Sequence, residues 1–134
     1  MSPSGELAYL DSSALVKLVL EEKETPALTS FLRNWPARVS SVVCSVEVHR
    51  AARREAEAAT MRAAEVLELV DLIALDRVIL DTACTTDPAS LRTLDAIHLA
   101  SALSLGADLG AFVTYDQRLL EAAERAGLDV LAPA

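Results

Sequence analysis

Four carboxylates stand where short apolar segments hand over to helices: Asp11, Glu47, Asp95 and Asp116. Asp11 closes an apolar run over residues 7–10. Glu47 comes soon after a β-branched stretch at 39–44. Asp116 follows a run at 111–114, and Asp95 falls in the first turn of an apolar helix capped by Thr93. Asp95 is bordered by Leu94 and Ala96-Ile97, and Glu47 by Val46 and Val48. Carboxylates in such settings need a partner, because isolated buried charge is costly. No nearby Lys or Arg pairs with all four. One divalent cation would satisfy them together, and oxygen-only ligands select Mg2+ or Mn2+ over zinc. Taken singly, each acid also has a plainer explanation. Asp and Glu favour first helical turns, where they cap free N–H groups and complement the helix dipole.

The elements that must gather these acids alternate along the chain. Apolar or β-branched segments predict strands at 7–10, 39–44, 72–75, 111–114 and 130–131. Helices are expected between them. The first covers 14–20 behind Ser12 or Ser13 as cap. The second starts after Thr25 with Pro26 at its first position and ends near Asn34-Trp35-Pro36. Ser45 is expected to cap a helix to about 59, and Thr60 one over 61–70. Asp76 opens a helix ending by Asp87-Pro88. Another covers about 94–105 and stops at Gly106, and Asp116 opens a last one ending at Gly127. Strands separated by such helices form right-handed βαβ units and a parallel sheet. Ligands of such sheets bind at the carboxyl ends of the strands. Asp11, Glu47 and Asp116 lie at those junctions. Asp95 joins them if its helix starts at the same edge.

Composition narrows the function. The 134 residues suit one domain over 1–134, and 52% of them are hydrophobic with only 4% aromatic, so Leu, Val, Ile and Ala must build the core. The formal charge of −8 argues against a module that holds nucleic acid by phosphate neutralisation alone. It is compatible with a nuclease whose cations are bound metals. No apolar run is long enough to cross a bilayer, and Met1 to Gly5 lacks the basic-then-apolar pattern of a secretory signal. Cys44 and Cys84 sit in apolar contexts without metal-ligand spacing and read as buried free thiols of a reducing cytoplasm.

Other charged and aromatic residues read mainly as surface or packing. Glu21, Glu22, Glu24, Glu55, Glu57, Glu65 and Glu68 belong to solvated faces. Arg50, Arg53 and Arg54 follow Glu47 on one helix and either contact phosphate or pair with Glu55 or Glu57, the second being the simpler expectation. Lys17 and Arg92, close in sequence to the acids, are better candidates for contacts to phosphate. His98 sits three residues past Asp95 between Ile97 and Leu99, which favours a packed or hydrogen-bonding imidazole over a catalytic one. Trp35 and Tyr115 are expected to pack locally.

Around the four acids the sequence resembles the PIN domains, particularly VapC-type toxins of type II toxin–antitoxin systems. The segments are Tyr9-Leu10-Asp11-Ser12-Ser13-Ala14-Leu15-Val16-Lys17-Leu18, Ser41-Val42-Val43-Cys44-Ser45-Val46-Glu47-Val48, Leu91-Arg92-Thr93-Leu94-Asp95-Ala96-Ile97-His98-Leu99-Ala100 and Val113-Thr114-Tyr115-Asp116-Gln117-Arg118-Leu119. They occur in the family's order and span almost the whole chain. The resemblance implies a three-layer α/β/α fold with a central parallel sheet, and a Mg2+- or Mn2+-dependent endoribonuclease. It implies Asp11, Asp95 and Asp116 as metal ligands, Glu47 as a direct or water-mediated fourth acid, and Ser13 and Thr114 as supports of the ligands. It also implies RNA as substrate, a VapB-type antitoxin that blocks the site with a basic side chain, a homodimer, and hetero-oligomers with the antitoxin; Lys17 and Arg92, by their closeness to the acids, are then the candidates for RNA or antitoxin contacts. The main rival is a non-catalytic PIN-like interaction module. A receiver-like phosphoacceptor wants a late Lys, and none follows Lys23. A phosphatase wants Asp-x-Asp where Ser13 stands.

Overall fold

The computed structural model describes residues 5–134. The expectation about the leading segment therefore lies, except for Gly5, outside the described residues. The elements run β1 (Leu7–Leu10), α1 (Ser12–Val19), α2 (Thr25–Leu32), β2 (Arg38–Ser41), α3 (Val43–Glu55), α4 (Glu57–Glu68), β3 (Asp71–Ile73), α5 (Arg77–Cys84), α6 (Thr93–Leu103), β4 (Leu109–Val113), α7 (Gln117–Arg125) and β5 (Val130–Leu131). The strands form one parallel sheet in the order β3-β2-β1-β4-β5.

Alternation along the strands creates two cores. Leu10 and Val113 face one side and pack with Ala14, Leu15, Leu28, Leu32, Cys44 and Val48 of α1, α2 and α3, and with Ala63 and Val66 of α4. Tyr9, Val39 and Phe112 face the other side and pack against Leu99 and Ala102 of α6 and Leu119, Ala122 and Ala123 of α7. The rings of Tyr9 and Phe112 stack at 5.2 Å. Each fully buried leucine in these clusters stabilises the fold by about 1.5–3 kcal/mol. The expected three layers are present. The chain leaves β1 across one face of the sheet to reach β2, and returns from β3 across the other to reach β4. Strand order therefore reverses between β1 and β4, which opens a crevice at their carboxyl ends.

Two glycines make this geometry possible. Gly110 is the extra residue where β4 slips against β1, between the pairs Leu7–Leu109 and Ala8–Ala111, and a Cβ there would run into the carbonyl of Gly5. Gly127 (φ 89°) ends α7: its N–H donates to Glu124 O and that of Leu128 to Ala123 O, a Schellman closure that needs a left-handed residue.

Several boundaries differ from the sequence expectation. β2 stops at Ser41 and Cys44 is already helical. Val42 N–H makes the last rung, to Ile73 O, and Ser41 Oγ accepts from Val43 N–H as the chain turns into α3. Ala56 is extended (φ −165°, ψ 157°), so α4 starts at Glu57. Thr60 lies inside α4 and its hydroxyl donates to Glu57 O instead of capping. Thr93 is the first residue of α6 and Arg92 its cap, without a side-chain capping bond. The cap of α1 is Asp11, not Ser12 or Ser13. Only Cys44 is a buried thiol, pushed up to about 11 by burial and kept inert; Cys84 is exposed. No helix among the described residues is long and apolar enough to cross a membrane.

Candidate active site

Asp11 leaves β1 in extended conformation (φ −76°, ψ 178°), and its carboxylate turns back onto the start of α1. Oδ1 accepts from Ala14 N–H at 3.0 Å and from Ser13 Oγ at 2.6 Å, while Oδ2 accepts from Thr114 Oγ1 at 2.5 Å. Parallel pairing of Leu10 with Val113 places Thr114 beside it. Only 3% of Asp11 is exposed. Burial raises its pKa, against the pull of Ser13, Thr114 and the Ala14 amide. Ser13 Oγ also accepts from Tyr115 N–H (2.9 Å), so the ends of β1 and β4 are fastened together around this carboxylate.

Asp116 caps α7, its Oδ1 accepting from Leu119 N–H at 3.1 Å, and its own N–H donates to Thr114 Oγ1. Asp95 comes from the first turn of α6, in the crossover on the other face. Its pKa is pushed up to about 6, by burial first and then by the charges of Asp116 and Asp11.

Glu47 arrives from α3. Oε1 accepts from Ser12 Oγ at 2.5 Å and from His98 Nε2–H at 2.8 Å. Burial alone would raise its pKa, but the His98 and Ser12 hydrogen bonds outweigh it and hold the group below the usual carboxylate range. His98, 1% exposed, is itself held from behind: Tyr9 OH lies 2.7 Å from Nδ1 and accepts the Ser41 amide at 3.1 Å. An ionised carboxylate only accepts, so Nε2 carries the proton and Tyr9 donates to Nδ1. The imidazole is thus the hydrogen-bonding residue expected of its apolar flanks. Its service to Glu47 is not legible in the sequence, nor is the part played by Tyr9 and by Ser12, which the sequence suggests only as a helix cap.

The four acids line one cleft of about 370 Å³ at the switch point between β1 and β4. Among the described residues, Arg92 is the sole Lys or Arg along it. Lys17 is not brought there. Its ammonium pairs with Glu24 (3.1 Å) and Glu22 (3.4 Å) and lies over the Tyr115 ring. Trp35 stacks on Phe31, and Tyr115 OH donates to Pro133 O, both local packing roles.

The donor set fits a hard divalent cation. Among the described residues, none of Asp11, Asp95 and Asp116 is ion-paired to Lys or Arg. After burial, the charges of Asp116 and Asp11 add to the rise of Asp95. As they lie, no three such side chains among the described residues already converge on one point.

A larger groove of about 550 Å³, lined by Leu80, Ala83, Leu91 and Ile97, runs between α5 and α6. It holds no set of acids, so the chemistry belongs to the smaller cleft.

Fold and cleft together define a parallel α/β domain that gathers carboxylates at its topological switch. The chain belongs to the PIN-domain family, whose sequence model matches residues 8–125. It is 47% identical over 125 residues to Ribonuclease VapC46 of Mycobacterium tuberculosis, covering 93% of this chain and 96% of that one. With Ribonuclease VapC35 of the same species it shares 43% over 131 residues, covering 95% and 97%. Its fold matches the crystal structure of Mycobacterium tuberculosis VapC20, a sarcin–ricin-loop-cleaving toxin, with a TM-score of 0.73 at 17% identity over 94% of this chain and 99% of that one. It also matches a chain of a toxin–antitoxin complex from Klebsiella pneumoniae, with a TM-score of 0.70 at 22% identity over 95% and 98%.

Proposed function

We propose that this chain is a Mg2+- or Mn2+-dependent endoribonuclease and the toxin of a toxin–antitoxin pair. The carrying observation is the convergence on one cleft of four carboxylates, three of them without a basic side-chain partner among the described residues. The ribonuclease names of relatives sharing more than 40% of its residues support the reading.

Asp11, Asp95 and Asp116 would hold the ion. A bound divalent cation lowers the pKa of a coordinated water and offsets charge developing on the phosphoryl oxygens. Ser13 and Thr114 lock the Asp11 carboxylate in one orientation, so it need not reorganise when a ligand arrives. Glu47 stays ionised, with Oε1 engaged and Oε2 without a hydrogen bond from any described residue, open to accept from a water in the cleft. Arg92, exposed on the rim, is placed to meet a phosphate. Lys17 instead ties Glu22 and Glu24 to α1. In-line attack of water that expels the 3′-oxygen would leave a 5′-phosphate and a 3′-hydroxyl, the outcome the family resemblance implies.

The partner set follows from the same cleft. An uncompensated acidic pocket suits a basic side chain of a VapB-type antitoxin as well as a metal ion. Residues 1–134 are taken as one PIN-like domain that forms a homodimer and hetero-oligomers with the antitoxin in the cytoplasm.

The test is incubation of RNA with the purified chain in Mg2+, Mn2+ or EDTA, with RNA ends mapped and Asp11→Asn as control. Metal-dependent cuts lost in the variant are expected. Tight antitoxin binding with no cleavage in either metal would make the chain an interaction module.

A further inference from the structure

The sequence left two fates for the arginines that follow Glu47, pairing with Glu55 or Glu57 or contact with phosphate. In the structure Arg50, Arg53 and Arg54 are all exposed, and none is ion-paired among the described residues. They alone line a shallow concavity of about 280 Å³ on α3. The chain has 20 acidic and 12 basic side chains, so acidic partners are plentiful. Three mutually repelling guanidinium groups around one hollow are suited to an anion from outside.

Their position relative to the cleft says which anion. α3 is a continuous helix from Val43 to Glu55, buried along Cys44, Val48 and Ala52. Glu47, Arg50 and Arg54 stand three and seven residues apart, which puts them within about 60° of one another around the helix, on a stripe that runs from the margin of the buried face toward solvent. At 1.5 Å rise per residue the arginine backbones lie about 4.5 and 10.5 Å beyond Glu47 along the axis. A linear polyanion with one phosphate among the acids would pass its neighbouring phosphates over this stripe.

We propose that Arg50, Arg53 and Arg54 form the track on which the RNA backbone runs as it leaves the acidic cleft. This rests on the nuclease reading and deepens it. The metal site supplies chemistry at one phosphate, and the arginines supply affinity and direction at the next ones. It also accounts for how a chain of charge −8 holds a polyanion: its positive charge is local.

The test uses an Asp11→Asn background, so that RNA is bound but not cut, and a fluorescent single-stranded oligoribonucleotide. Anisotropy titrations at several salt concentrations compare it with the same protein also carrying Arg50→Ala and Arg54→Ala. The expected result is roughly tenfold weaker binding and a log–log salt slope shallower by about 1.4, because each phosphate contact contributes about 0.7 for single strands. Arg50→Lys with Arg54→Lys restores the slope, since phosphate accepts a point charge. Thermal midpoints stay the same, as both side chains are exposed. In the otherwise native chain the loss of cleavage grows with substrate length. Unchanged affinity and slope, with RNA still bound, would overturn the proposal and leave the nuclease reading intact. Weakened binding of a protein partner with RNA binding untouched would also overturn it. Failure of the native chain to bind or cut any RNA would remove both.

Discussion

Thr114 Oγ1 donates to Asp11 Oδ2 at 2.5 Å although the two residues are 103 positions apart. The bond joins the ends of β1 and β4 at the point where strand order reverses. Thr114 is fully buried, so Thr114→Val keeps shape and removes the donor. That leaves one carboxylate oxygen short of a partner. A loss of about 1–3 kcal/mol in stability and a 10–100-fold loss in cleavage rate or metal affinity are expected. Denaturant titration and metal titration read the two effects separately. An unaltered rate would mean that Asp11 is positioned without this bond.

Asp11→Asn is expected to act in opposite directions on activity and stability. Asn still caps α1. It also removes a charge that burial disfavours. The variant should therefore melt at a higher temperature than the native chain in EDTA, and cleave RNA more than about 100-fold more slowly in Mg2+. A lower midpoint in EDTA would show that the carboxylate charge stabilises the fold instead.

Asp95 gives a pH dependence. Its pKa is raised from 3.8 to about 6, so between these values the folded chain keeps a proton that the unfolded chain has released. Stability from this group is present below about pH 4 and lost as pH rises through about 6. Glu47 works the opposite way, but its pKa is lowered, so its contribution fades only on acidification below the usual carboxylate range. In EDTA the native chain should lose about 1 kcal/mol between pH 4.5 and 7, after allowance for solvent screening of a half-exposed group. Asp95→Asn should reduce that loss, leaving the part that comes from Asp11, whose pKa burial also raises, and Mg2+ should cancel it. Denaturant midpoints across this range provide the check; a native profile as flat as the variant's would contradict it.

His98 should matter through Glu47. His98→Phe removes the Nε2–H donor, while His98→Gln can place an amide N–H near the same spot. The Phe variant is expected to lose 10–100-fold in kcat with little change in KM, and Gln to recover part of it. Without the imidazole the Glu47 pKa climbs, so the acid limb of the pH–rate profile shifts toward neutrality. Equal losses in both variants with an unmoved limb would reduce His98 to packing.

What the chain determines locally was readable in it. Apolar runs ending in acids mark strand ends, Gly127 marks a helix stop, and the rule that parallel sheets gather ligands at carboxyl edges was enough to nominate Asp11, Glu47 and Asp116, while Asp95 hung on where its helix starts. Those signals depend on neighbours a few positions away, where backbone geometry fixes which side chains meet. The helix start at Val43 escaped because a β-branched run suits strand and buried helix alike, and only the end of the ladder at Ile73 decides between them. The Tyr9–His98–Glu47 chain, the capture of Lys17 by Glu24 and the unpaired state of Arg50 and Arg54 were decided by tertiary structure. Each depends on where whole helices dock against the sheet, and sequence spacing carries no record of contacts made across the fold.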